Sequence, residues 1–166
     1  MTADQMAKDI FKWPVTSPQD RVLNNDGKTA QVQLVEQNPQ MQVTVTLERL
    51  VQQNKTGLWF VTAAQTSGIM LTQPQPSGVV TSPTTMKGTG VLSGGQTTAT
   101  LFDHMLTPLS LLNNPTLNAD TNGTYSGMVF YTNNVQNQPG LLLVQSVPAD
   151  GSSKTGQLLL TQVILG

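Results

Sequence analysis

Between Met41 and Val51 the chain alternates: Met41, Val43, Val45 and Leu47 stand against Gln42, Thr44, Thr46 and Glu48. A period of two puts one set on each face of a β-strand. The same rhythm marks Thr29–Glu36, with Val32 and Leu34 against Gln31 and Gln33. It returns over Leu58–Gln65, with Trp59, Val61 and Ala63 on one side. Asp20–Leu23 is a shorter candidate. Asn24–Gly27, Gln37–Gln40 and Gln52–Gly57 supply the turns, the first with Asn and Gly residues that accept positive φ. The pattern predicts an antiparallel meander with one apolar and one polar face. The first residues follow a helical period instead: Met6, Ile10 and Trp13 share a face, with Ala3 one turn earlier. A helix over Thr2–Lys12 follows, capped by Thr2 with Gln5 and stopped by Pro14. So short a helix does not hold alone; the apolar sheet face is its expected seat.

Pro74 and Pro76 mark residues 73–78 as a linker of short, semi-rigid polyproline geometry. Beyond it the strands shorten and recur evenly: Val79–Thr81, Thr85–Leu92, Thr97–Phe102, a piece of Leu106–Leu112, Gly123–Tyr131, Leu141–Val147 and Gly156–Ile164. Turn residues separate them at Ser82-Pro83, Ser93–Gly95, Asn113–Pro115, Asn122-Gly123, Gln138–Gly140 and Asp150-Gly151. About seven short strands at this spacing predict a β-sandwich. The expected organisation is therefore a small α+β domain over 1–72, the linker, and a sandwich over 79–166, a mainly β chain.

Composition narrows the function classes. Of 166 residues only 10% are charged, and the net charge is −1. No basic run offers the electrostatic footprint of a nucleic-acid binder. No apolar run reaches the ~20 residues that span a bilayer, and the first residues lack the apolar core of a signal peptide. Cysteine is absent, so disulfides and thiolate chemistry are excluded.

Candidate chemistry is sparse. His104, the single histidine, follows Asp103, and strand neighbours point to opposite faces; a surface position at a strand end is the expectation. Asp120–Gly123 has the start of a calcium loop without its later ligands, and reads first as a β-turn. Asp150–Ser153 reads as a hairpin turn. No catalytic constellation, cofactor site or metal site emerges, and the chain is expected not to be an enzyme. The remaining candidates form an interaction surface: Leu109, Leu111 and Leu112 in an unusually apolar segment, and the consecutive pair Phe130 and Tyr131, one of which must face outward. For the leucines, a plug between the two halves is the reading placed ahead of an exposed patch.

Two resemblances extend this reading. Thr81-Ser-Pro83 with Met86–Gly90, Ala99–Asp103, Tyr125–Phe130, Leu141–Val144 with Pro148–Ser152, and Val163–Leu165 resemble, in order, the immunoglobulin-like domain of bacterial spore-germination and related envelope proteins. Departures are the apolar stretch 106–120 and Val147-Pro148. Leu47–Leu50 and Gly57–Thr62 are similar to the strand-rich half of nuclear-transport-factor-2-like (cystatin-like) domains, whose longer helices are missing here; a reduced domain, or a sheet that leans on its neighbour, are the two options. The first resemblance implies a non-catalytic, extracytoplasmic module of the bacterial cell envelope, in a lipoprotein or similar setting. It implies a protein or cell-wall partner, with carbohydrate binding as the alternative. Neither resemblance supplies active-site residues.

Overall fold

Among the described residues of the computed structural model, the regular structure is twelve strands and one short helix. The residues described are 3–11, 19–37, 40–51, 57–92, 94–109, 116–132, 136–149 and 156–166. Helix α1 (Ala3–Asp9) precedes a four-stranded antiparallel meander: β1 (Gln19–Asn25), β2 (Thr29–Gln37), β3 (Gln40–Val51) and β4 (Gly57–Gln65). β2, β3 and β4 lie where the alternation placed them, but a register shift at Thr46/Leu47 turns Ala64 rather than Ala63 into the core, and β1 runs on through Asn24 and Asn25, which the sequence read as turn. The first turn is closed by Asp26, whose Oδ1 accepts from the Lys28 and Thr29 N–H groups at 2.8 and 2.6 Å while Gly27 takes φ +84°. Ala3, Met6 and Ala7 of α1, and Ile10 just past its end, are buried with Leu34, Val43, Val45 and Leu47 of the sheet. Thr2, Trp13 and Pro14 lie outside the described residues.

The chain continues through β5 (Met70–Gln73), β6 (Val79–Val80), β7 (Thr84–Thr89), β8 (Gln96–Phe102), β9 (Thr116–Ala119), β10 (Tyr125–Val129), β11 (Gln138–Val147) and β12 (Gln157–Leu165). The strand order is β1-β2-β3-β4-β12-β11-β8-β9-β10-β7-β5, with β6 parallel to the end of β12. The two halves thus share a sheet. Ala63–Gln65 of β4 pair antiparallel with Leu159–Thr161 of β12. Thr66 extends the join: its N–H donates to the Leu158 carbonyl at 2.8 Å, and its hydroxyl accepts from the Leu158 N–H at 3.0 Å. Residues 73–78, read from the prolines as an extended arm, instead finish β5 and run along β12. Ser77 N–H donates to Gln162 O, and Gly78 O accepts from Ile164 N–H.

This topology explains why Leu141–Val144 is an unbroken apolar run. A strand buried on one face alternates, whereas a strand buried on both does not. Leu141 and Leu143 enter the first core with α1, β2 and β3; Leu142 and Val144 enter a second. β12 divides likewise, Leu158 and Leu160 to the first core, Leu159, Val163 and Leu165 to the second. The second core is closed by Met86 of β7, Leu117 of β9, and Tyr125 and Val129 of β10. β9 carries the sheet round the corner, pairing with β8 through Thr97–Leu117 and with β10 through Tyr125–Ala119. The sequence assigns its residues to no strand; they lie between the turns expected at Asn113–Pro115 and Asn122-Gly123. Buried hydroxyls are satisfied: Thr97 donates to Ser146 at 3.1 Å, and Ser146 Oγ accepts from the Leu92 N–H.

Glycines make the tightest approaches. A Cβ on Gly88 would meet the Met70 carbonyl at 2.1 Å and the Tyr125 ring at 2.3 Å. The Tyr125 ring lies across that gap and its hydroxyl donates to Met70 O at 3.1 Å. Burial pushes this phenol up to about 12, because the charged form is not solvated there.

Candidate functional site

The site grows out of the place where two strands part. β4 is held to β12 through Ala63–Gln65, and residues 57–62 of β4 have no ladder partner on that side among the described residues. Along this edge runs a cleft of about 270 Å³. Both faces of β4 reach it, so the alternating neighbours Phe60 and Val61 line it together. Its far wall is Pro139, Gly140 and Leu141 of β11 with Gln162 of β12; Asp103, His104 and Leu106 close one end.

The end wall is a five-residue turn, Asp103–Thr107. The Asp103 N–H donates to Thr107 O at 3.0 Å, and Asp103 Oδ1 accepts from the Met105 and Thr107 N–H groups, both at 2.8 Å. A short acidic side chain makes such backbone bonds with little loss of freedom. The chain uses the device again at Asp120–Thr124, where Asp120 Oδ1 accepts from Asn122 and Thr124. The sequence reading of that segment as a turn describes this geometry. Both turns need a left-handed residue at the fourth position. Gly123 supplies it in one, at φ +77°, and Leu106 in the other, at φ +62°. A leucine in that region is strained by roughly 1 kcal/mol. Leu106 is held there by its half-buried packing against the first core.

His104 is exposed, as its strand-end position suggested. Its Nδ1 lies 2.6 Å from Gln138 Oε1. An amide oxygen only accepts, so Nδ1 is the donor in this contact, and Nε2 carries no hydrogen bond among the described residues. Among the described residues, no three of His, Asp and Glu gather as a metal site, and no helix is long and apolar enough to cross a membrane.

An apolar corner adjoins the cleft. Leu50 and Leu58 face each other across β3 and β4, and Glu48 faces Phe60. All lie on the sheet face opposite α1. Leu50 is 59% exposed, Leu58 61% and Phe60 41%. Met105, in the end-wall turn, is 71% exposed.

The residues anticipated as an interaction surface fare differently. Leu109 is half-buried against the second core, and its N–H donates to Leu101 O at 2.8 Å. Leu111 and Leu112 lie outside the described residues. Phe130 is half-buried. Tyr131 is corrected to an interior residue: it is 3% exposed, and its hydroxyl donates to Val80 O at 2.6 Å. The alternation that turns Phe130 outward turns Tyr131 in, over the paired ends of β6 and β12. Sequence reasoning missed Phe60, because it shares a strand with the core residues Trp59 and Val61. It also missed Asp103 as a turn-former, although the spacing Asp-x-x-x-Thr occurs at both 103 and 120.

Elsewhere, Thr72, Gln73, Gln75, Thr84 and Thr85 border an open hollow of about 470 Å³, rich in hydroxyls and amides.

Comparison of the chain with protein-family models, with curated proteins and with solved structures finds no match.

Proposed function

We propose that this chain is a non-enzymatic binding module of a bacterial cell-envelope protein, acting through protein–protein contacts at the β3–β4 corner. The observation that carries the reading is the exposed cross-strand group Leu50, Leu58 and Phe60, continuous with an apolar-walled cleft. Three large apolar side chains gathered on an otherwise Gln- and Thr-rich sheet face have the character of an interaction site. The cleft beside them offers the kind of pocket in which a partner's anchor side chain gains most of its binding energy. The order of the envelope-type motifs along 79–166 supports the compartment. An Ig-like sandwich for that segment belongs to the same proposal.

A photo-crosslinking residue placed at Leu58 tests this in envelope extracts, with one at Gln31, on the same sheet face, as control. The reading expects a discrete protein adduct from position 58 and none from 31. Equal adducts, or none from either, reject it. The hydroxyl- and amide-rich hollow at Gln73 and Thr84 favours the second reading, carbohydrate binding. A saturable glycan response at that hollow together with no adduct at 58 selects it.

A further inference from the structure

The cleft at the free edge of β4 joins apolar walls to polar groups of one kind. Phe60, Val61, Leu106, Pro139 and Leu141 give it an apolar body. The side chains at its end accept hydrogen bonds. Asp103 spends Oδ1 on two backbone N–H groups, while Oδ2 carries no hydrogen bond among the described residues. His104 uses Nδ1 on Gln138, so Nε2 is the nitrogen left to accept in the uncharged ring. Gln162 adds an amide, which can also accept. Among the described residues no Lys or Arg lines the cleft, so an anion would meet the Asp103 charge with none of them to offset it. A cation would meet a carboxylate, an imidazole lone pair and the face of the part-exposed Phe60 ring, which attracts positive charge.

We infer that the cleft takes a primary ammonium group on a short apolar stem. The stem lies between Phe60, Leu106 and Leu141, and the ammonium donates toward Asp103 and His104. The inference rests on the binding-module reading and names the chemistry that the site recognises. Two sources share that chemistry: the lysine side chain of a partner protein and a free alkyl or arylalkyl amine. The unusual backbone of Leu106 fits the assignment. The residue strained to close the Asp103 turn is also the one that forms the apolar wall next to the carboxylate.

The test is a titration followed through backbone amide resonances, with benzylamine, benzyl alcohol and Nα-acetyl-lysine methylamide as probes. Benzylamine is expected to shift the Leu106, Thr107, Gly140 and Leu141 amides saturably. Its Kd should be about 1–10 mM, the range open to a ligand of about eight non-hydrogen atoms. Benzyl alcohol should bind about tenfold more weakly. Asp103→Asn keeps an Oδ1 acceptor for the turn; it should weaken benzylamine about tenfold and leave benzyl alcohol unchanged. Phe60→Leu should weaken the amine more than the alcohol, a check that does not depend on the turn. Binding of the lysine derivative within about threefold of benzylamine assigns the site to a partner's side chain; binding of benzylamine alone assigns it to a free amine. Equal affinity for amine and alcohol, an unchanged Asp103→Asn, or no saturable shift overturns the inference. The crosslinking at Leu58 is independent of these probes, so a failed titration with a discrete adduct rejects the ammonium site alone.

Discussion

Leu142 is the residue at which the sharing of strands between two cores is most open to attack. Its side chain is fully buried in the second core, while its neighbours Leu141 and Leu143 are buried in the first. Leu142→Ala removes about three carbons, about 2.4 kcal/mol of transfer free energy at roughly 0.8 per carbon. The close-packed surroundings, Leu101 and Val144 among them, relax only partly, so the residual void brings the loss to about 3 kcal/mol. For a chain of this length that lowers the thermal midpoint by about 6–12 °C. The assay exploits an asymmetry in the sequence. Both tryptophans, Trp13 and Trp59, precede β5, and both tyrosines, Tyr125 and Tyr131, follow it. Tryptophan fluorescence therefore reports on a part of the molecule that Leu142 does not touch. Because β11 and β12 carry side chains into both cores, the tryptophan transition should move down by the full amount and coincide with loss of far-ultraviolet dichroism. A tryptophan midpoint that stays within about 2 °C of wild type, while the dichroism splits into two steps, refutes the reasoning.

Other outcomes follow from the same contacts. Gly88→Ala should destabilise by about 3 kcal/mol or more, read as a fall in denaturation midpoint, because its Cβ meets backbone and an aromatic ring rather than a flexible chain end. Tyr125 should titrate near 12 by tyrosinate absorbance. Since its folded value lies above the unfolded 10, its contribution is present in full below pH 10 and lost as pH rises from there through 12. Tyr125→Phe should lose about 1 kcal/mol at neutral pH, for the bond to Met70 O, and should flatten that alkaline loss.

Much of the strand map is legible because the polar residues between apolar ones are Gln and Thr, which leave the period of two clean. β2, β3 and β4 fall within a residue or so of the alternation, and α1 on its i, i+3, i+4 face. What alternation does not show is which strands lie side by side. Ala63 and Ala64 look like a strand tail, yet they are where the halves join. The run Leu141–Val144 announces burial on both faces, but nothing local says that the second face belongs to α1 and β3. The prolines at 74 and 76 suggested an arm, but the backbone bonds of Ser77 and Gly78 are made to β12, a tertiary fact that turn chemistry does not encode. The candidate site was the least legible part. It forms where β4 separates from β12, and Phe60, Asp103 and Gln162 come together only through that long-range pairing.

Native-state hydrogen exchange at the join is the most direct test of the shared sheet. The account predicts that the ladder amides among Ala63–Thr66 of β4 and Leu158–Thr161 of β12 exchange only through the same global opening that exposes Leu142 and Leu143 of β11. Exchange at the join through a separate, lower-energy opening, with β11 still protected, would contradict it.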